Sequence, residues 1–122
     1  SEIKNWSIFC ETKDGMDYEK FANGKAEVTG SVTMTVNFPY PLGTTGEYYQ
    51  VLTLTGPKNF FKGPRPKMWV NAYSNGLPVS CRAKYLGDAG ISVTIKQFGN
   101  EPRVHDIDWF IKGSWRDTGL NT

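Results

Sequence analysis

The sequence predicts an all-β fold: an antiparallel β-sandwich of about seven strands in a single domain, or a small barrel-like variant of one. Three observations carry this. First, 122 residues suit one hydrophobic core and leave no room for two. Second, 13 glycines and 7 prolines divide the chain into short runs, while 4 Trp, 6 Tyr and 7 Phe are spread between them. Frequent turns with dispersed aromatics favour short strands over long helices. Third, the apolar residues alternate with polar ones at period 2, which puts one apolar face on each strand, as a two-layer core requires.

The elements follow in order. Residues 1–17 read as an irregular arm or linker, with an apolar knot at Trp6, Ile8 and Phe9 before Lys13-Asp14-Gly15. The domain proper is placed at 18–116. Residues 18–22 form a strand that turns at Asn23-Gly24, a pair that tolerates positive φ at both central positions of a tight turn. From Lys25 to Phe38 the alternation is strict. Ala26, Val28, Gly30, Val32, Met34, Val36 and Phe38 share one face, and Lys25, Glu27, Thr29, Ser31, Thr33, Thr35 and Asn37 share the other. Gly30 has no side chain to pack, so a bend or bulge is expected there.

Pro39 and Pro41 place 38–47 in a loop, because proline has no N–H to give to a ladder interior. Strand character returns at 48–54. Residues 56–66 read as a second loop, which carries Phe60 and Phe61 and holds three prolines. Then come a strand from Lys67 to Ser74, a turn at Asn75-Gly76 and a strand from Val79 to Leu86 with Val79, Cys81, Ala83 and Tyr85 inward. After the turn at 87–90, Ile91, Val93 and Ile95 alternate with Ser92, Thr94 and Lys96. The last strand runs from Arg103 to about Arg116, and 117–122 reads as a flexible polar tail.

Net charge and cysteine content exclude several classes. A formal charge of +2 with no basic stripe does not predict nucleic-acid binding. No apolar run approaches the roughly 18 residues of a membrane helix, so no membrane insertion is expected. Two cysteines are too few for a disulfide scaffold; Cys81 reads as a buried free thiol, and a bridge to Cys10 is left open. The chain opens Ser-Glu-Ile, without Met and without a charged-then-apolar leader, and reads as a domain of something longer.

Little reactive chemistry is visible. The single histidine, His105, is in phase with Ile107, Trp109 and Ile111, so it points to a core or a subunit interface. One His with two distant Cys does not make a metal site, and no cofactor is expected. There is no Gly-x-Ser-x-Gly elbow and no phosphate-cradling glycine loop. Asp106 and Asp108 share a strand face roughly 7 Å apart, a spacing that suits a solvated polar face, a bound sugar or cation, or a glycosidase pair. Binding chemistry is better represented. Tyr40, Tyr48, Tyr49, Phe60, Phe61, Trp69 and Tyr73 lie in loops or on outward positions. Trp69, Asn71 and Tyr73 alternate with Met68, Val70 and Ala72; if they face out they form an aromatic–amide stripe suited to sugar rings or a protein partner. The ligand-binding candidates are therefore Trp69, Asn71, Tyr73, Asp106 and Asp108, with no catalytic residue.

Three motifs bear on family. Residues 18–30, Tyr-Glu-Lys-Phe-Ala-Asn-Gly-Lys-Ala-Glu-Val-Thr-Gly, run from an aromatic–basic strand through an Asn-Gly turn to an Ala-Glu-apolar strand. Residues 63–70, Gly-Pro-Arg-Pro-Lys-Met-Trp-Val, follow a phenylalanine-rich loop into a strand. Residues 107–116, Ile-Asp-Trp-Phe-Ile-Lys-Gly-Ser-Trp-Arg, close the chain with an aromatic–apolar–Gly–x–Trp–basic pattern. In this order they resemble the C-terminal domains of phage tail and baseplate minor structural proteins. The resemblance implies a β-sandwich, often trimeric, at a tail-fibre or baseplate tip, in some members similar to H-type lectins that bind host saccharides. It does not cover residues 1–17, and it assigns no saccharide-binding residue here.

The resulting expectation is a non-enzymatic attachment module on a virion. Its partners would be host-surface saccharide, itself as a homotrimer, and other tail or baseplate proteins. Oligomerisation adds burial to a small core. Apolar residues on both faces of the last strand, Val104 and Phe110 opposite Ile107 and Trp109, fit a strand beside a symmetry axis, with His105 near it. The alternatives are a structural trimerisation or capping domain without a ligand and, third, a glycan-cleaving domain using Asp106 or Asp108.

Overall fold

The computed structural model describes residues 6–116, so the expected flexible tail lies outside the described residues. The strands are β1 (Ser7–Lys13), β2 (Met16–Phe21), β3 (Lys25–Val36), β4 (Tyr40–Pro41), β5 (Glu47–Leu54), β6 (Lys62–Ser74), β7 (Leu77–Pro78), β8 (Cys81–Tyr85), β9 (Ile91–Phe98) and β10 (Arg103–Ser114). They form two antiparallel sheets, ordered β1-β2-β3-β10-β6-β7 and β4-β5-β9-β8. Among the described residues the only helical piece is a single 3-10 turn, Gly87–Ala89, and no helix is long and apolar enough to cross a membrane.

The two sheets share one core, which makes the fold sandwich-like. Val28, Ile107, Trp109 and Ile111 come from the larger sheet, and Ile91, Val93 and Ile95 from the smaller. Each such side chain stabilises the fold by about 1.5–3 kcal/mol on burial. The alternation read from β3 and β10 holds: Val28, Gly30, Val32 and Met34 lie directly opposite Ile111, Trp109, Ile107 and His105 on the inner face. β10 is the spine of the larger sheet, paired along most of its length with β3 on one side and β6 on the other.

Several expectations differ from the structure. Residues 7–13, read as irregular, form β1 and pair with β2 through a turn at Asp14-Gly15, both at positive φ. The signal was hidden because β1 is exposed at all but one position and so carries no apolar alternation. At 21–24 Gly24 takes positive φ while Asn23 does not, and Gly24 N–H donates to the Phe21 carbonyl at 3.0 Å. The turn is therefore a tight turn followed by a left-handed glycine, rather than one with both central residues left-handed. Gly30 makes no bulge: its pairing with Met16 and Trp109 is in unbroken register. The glycine is needed because a Cβ at this position would overlap the Trp109 indole.

The strand expected from Lys67 begins at Lys62 and carries Pro64 and Pro66. They are tolerated because pairing with β10 is irregular between Lys112 and Ser114, while β7 pairs only with Tyr73 and Ser74 and leaves the other edge free. After Asn75-Gly76, both left-handed as expected, the chain pairs briefly as β7 and then crosses to the other sheet as β8. Phe60 and Phe61 are half-buried against the core. Phe60 packs edge-on against Tyr18 at 4.9 Å and Phe61 against Tyr85 at 6.1 Å, closing the core from the loop side. His105 is 1% exposed, on the inner face beside Phe38, so this chain's own core encloses it and it does not lie at a subunit surface. The Gly113–Arg116 ending locks a hairpin: the Trp115 indole N–H donates to the Phe21 carbonyl at 2.7 Å, and the Trp115 backbone N–H donates to the Gly24 carbonyl at 2.9 Å. Both cysteines are free thiols, Cys10 exposed on β1 and Cys81 half-buried on β8.

Candidate functional site

A strand places successive side chains on opposite faces, so the residues that bury Ile107, Trp109 and Ile111 push Asp106, Asp108 and Phe110 into solvent. The pairing with β3 and β6 then builds three rungs across the outer face of the larger sheet. Thr33, Asp106 and Tyr73 form the first, Ser31, Asp108 and Asn71 the second, and Thr29, Phe110 and Trp69 the third. All five sequence-predicted residues therefore face outward together on two adjacent strands. Trp69, Asn71, Asp106 and Asp108 are exposed and Tyr73 is half-buried.

The rungs differ in chemistry. In the first, Thr33 Oγ1 donates to Asp106 Oδ1 at 2.6 Å, which engages one lone pair of that carboxylate. In the second, no side chain among the described residues hydrogen-bonds to Asp108 or Asn71, so the carboxylate and the amide stay open to a ligand. In the third, Trp69 stacks on Phe110 with ring centres 5.5 Å apart and planes 25° from parallel, yet remains 51% exposed. Phe110 packs against one face of the indole while much of the ring stays exposed, a fixed platform at low conformational cost.

The β1–β2 turn borders this surface through Gly15. An open recess of about 370 Å³ is lined by Gly15, Asp17, Thr29, Ser31, Trp69, Asn71, Asp108 and Phe110. Three of the predicted residues line it; Tyr73 and Asp106 flank it one rung away. Asp17 is fixed by Thr12, whose Oγ1 donates to its Oδ1 at 2.6 Å. Asp17, Ser31 and Phe110 were missed in the sequence. Phe110 was in phase with Asp106 and Asp108 and so was legible as outward, but its stacking partner depends on the β6–β10 register, which one strand's pattern does not contain. Asp17 comes from the hairpin that sequence reading left out of the sheet.

The opposite face, on the smaller sheet, has its own aromatic pair, Tyr40 and Tyr49, with ring centres 5.3 Å apart, beside an open recess lined by Arg82 and Lys96. Lys96 there is paired with Glu47 at 3.7 Å. Among the described residues no group of three or more His, Cys, Asp or Glu side chains is placed to hold a metal ion. Comparison with protein-family models, with curated proteins and with solved structures finds no match for this chain.

Proposed function

We propose that the protein is a non-catalytic saccharide-binding module whose site is the outer face of the six-stranded sheet. The observation that carries this reading is the Trp69–Phe110 stack set directly beside an open carboxylate–amide pair, Asp108 and Asn71. A sugar ring has an apolar face of C–H groups and an equatorial rim of hydroxyls. The exposed indole offers the flat contact, and Asp108, Asn71 and Ser31 offer acceptors and donors at the rim. The site is a shallow surface rather than a closed pocket, which suits recognition of an extended chain or a terminal sugar and gives no enclosure from water for bond cleavage.

The tail-tip setting on a virion, and a homotrimer presenting three such faces, are part of the same proposal. They rest on the three motifs described above. Three weak sites on one particle gain through effective concentration without any new contact. A glycan array probed with the intact protein and with Trp69→Ala tests the binding reading: array binding that the variant loses is expected. No binding to any saccharide at millimolar ligand would refute it and leave the structural capping role. Light scattering at micromolar protein tests the trimer, which a stable monomer would refute.

A further inference from the structure

Trp69 is shared by two recesses of opposite charge. On one side lies the recess with Asp17 and Asp108; on the other an open recess of about 420 Å³ is lined by Lys25, Arg65, Lys67 and Lys112 as well as Trp69. The cations come from three adjacent strands: Lys25 from β3, Lys112 from β10, Arg65 and Lys67 from β6. Lys67 and Lys112 are directly opposite each other in the ladder. Like charges in that position destabilise a sheet. No carboxylate among the described residues lies within ion-pairing distance of any of the four, although Glu27 is the other cross-strand neighbour of Lys112. Arg65 makes one long contact, its Nη2 donating to the Tyr85 carbonyl at 3.4 Å. Four cations beside an aromatic platform, none held in a close ion pair among the described residues, are what an oxyanion subsite requires.

We propose that this recess binds the anionic group of an acidic saccharide, so that the ligand is a glycan with a carboxylate, phosphate or sulfate on a residue next to the ring that sits on Trp69. This rests on the saccharide reading above and narrows it to a substrate class. The spacing supports it. Rungs of the same face repeat every two residues, so Asp108–Asn71, Phe110–Trp69 and Lys112–Lys67 succeed one another at roughly 7 Å steps. The strip runs from acceptor through platform to cation, and fits a ligand that is neutral and hydroxyl-rich at one end and anionic at the other. A single-stranded nucleic acid also seeks rings and cations. It carries a phosphate at every residue, however, and would bring one against Asp17 and Asp108.

The test is an array of matched pairs probed with the full chain: sialyllactose and lactose, mannose 6-phosphate and mannose, a sulfated disaccharide and its parent, with a 15-nucleotide oligo-dT as control. At least one anionic member should bind about tenfold more tightly than its neutral parent in low salt, and the pair that shows it identifies the oxyanion. Lys67→Gln/Lys112→Gln should bring that member down to its parent, while Trp69→Ala weakens both; circular dichroism of each variant checks that it is folded. Equal binding of anionic and neutral members, or a preference that survives the double substitution, would overturn the oxyanion subsite and leave the saccharide reading standing. Binding to no member would overturn the oxyanion subsite and leave the saccharide reading to the full glycan array, and tighter binding to oligo-dT than to every glycan would replace the proposal with nucleic-acid recognition.

Discussion

Gly30→Ala isolates a conflict between two effects of opposite sign. Gly30 has an ordinary strand conformation, since it is not among the residues at positive φ. On backbone entropy alone, alanine should therefore stabilise the protein by about 0.4–1 kcal/mol. Against this, the new methyl would be placed on the inner face at the Trp109 ring, which is 7% exposed and held in the core. Forcing a methyl into a packed site costs about 1–3 kcal/mol. The steric effect is the larger, so a net loss of roughly 1–2 kcal/mol is expected. The entropy of unfolding for a chain of this length is about 0.25 kcal/mol/K, which converts that loss to a fall in Tm of roughly 4–8 °C. Calorimetry on a double-mutant cycle with Trp109→Leu makes the test specific. Trp109→Leu alone should destabilise the fold through loss of packing, but in its background Gly30→Ala should become neutral or stabilising. If Gly30→Ala raises Tm in the native background, or its effect is the same within about 0.5 kcal/mol in both, the account of this glycine is wrong.

Three further outcomes are expected. Asp108→Asn should weaken saccharide binding about tenfold or more, since hydrogen bonds to charged groups contribute about 1.5–3 kcal/mol. Asp106→Asn, one rung away and already bonded to Thr33, should weaken it less, with both read by titration calorimetry on one ligand. Burial pushes Cys81 above the usual thiol range, so in the native protein a thiol-specific label should modify exposed Cys10 well before Cys81, and equal rates would contradict the placement of β8. Burial, then Asp14 and Glu11, raises Tyr18, and burial, then Asp88, raises Tyr85; both hold their protons more firmly folded than unfolded, so stability should fall as pH rises above about 10. Tyr85→Phe should make that alkaline fall in Tm shallower.

How much was legible depended on whether a strand is half-buried. β3, β9 and β10 each have one face in the core, so their sequences alternate and their inward residues could be read directly. Alternation divided β6 into two faces, but which of them is outward, the one with Trp69, Asn71 and Tyr73, was settled only by the packing of the sheet. β1 has no buried face and wrote no pattern. The bounds of β6 were obscured by prolines that an unpaired edge accommodates, information held in the neighbouring strands. The same limit applied to the site. Which residues point outward is a property of one strand, but which of them stand side by side is a property of register. Trp69 on Phe110, Asn71 on Asp108 and Lys67 on Lys112 are all pairings across 40 or so residues of chain. The role assigned to Gly30 failed for a related reason: the need for a missing side chain was set by Trp109, far along the sequence.

The position of β10 has a consequence for how stability and binding are divided. Its odd-numbered residues, His105 to Ile111, are buried, and its even-numbered residues, Asp106 to Lys112, supply one member to each rung of the outer face. Because the strand is paired on both sides, its register is fixed twice, and the same hydrogen bonds that fix the core fix the spacing of acid, ring and base. Most of the backbone of the proposed ligand face is thus set by strand pairing, so a ligand docking there would order side chains rather than strands. It also separates the two kinds of substitution. Outward changes at 108 and 112 remove exposed groups, and one at 110 a half-buried ring, without entering the core, whereas inward changes at 107, 109 and 111 open cavities that cost about 2–5 kcal/mol. The proposed recognition groups alternate residue by residue with the main core positions, so substitutions there would change ligand preference without changing fold, provided the register of the central strand is kept.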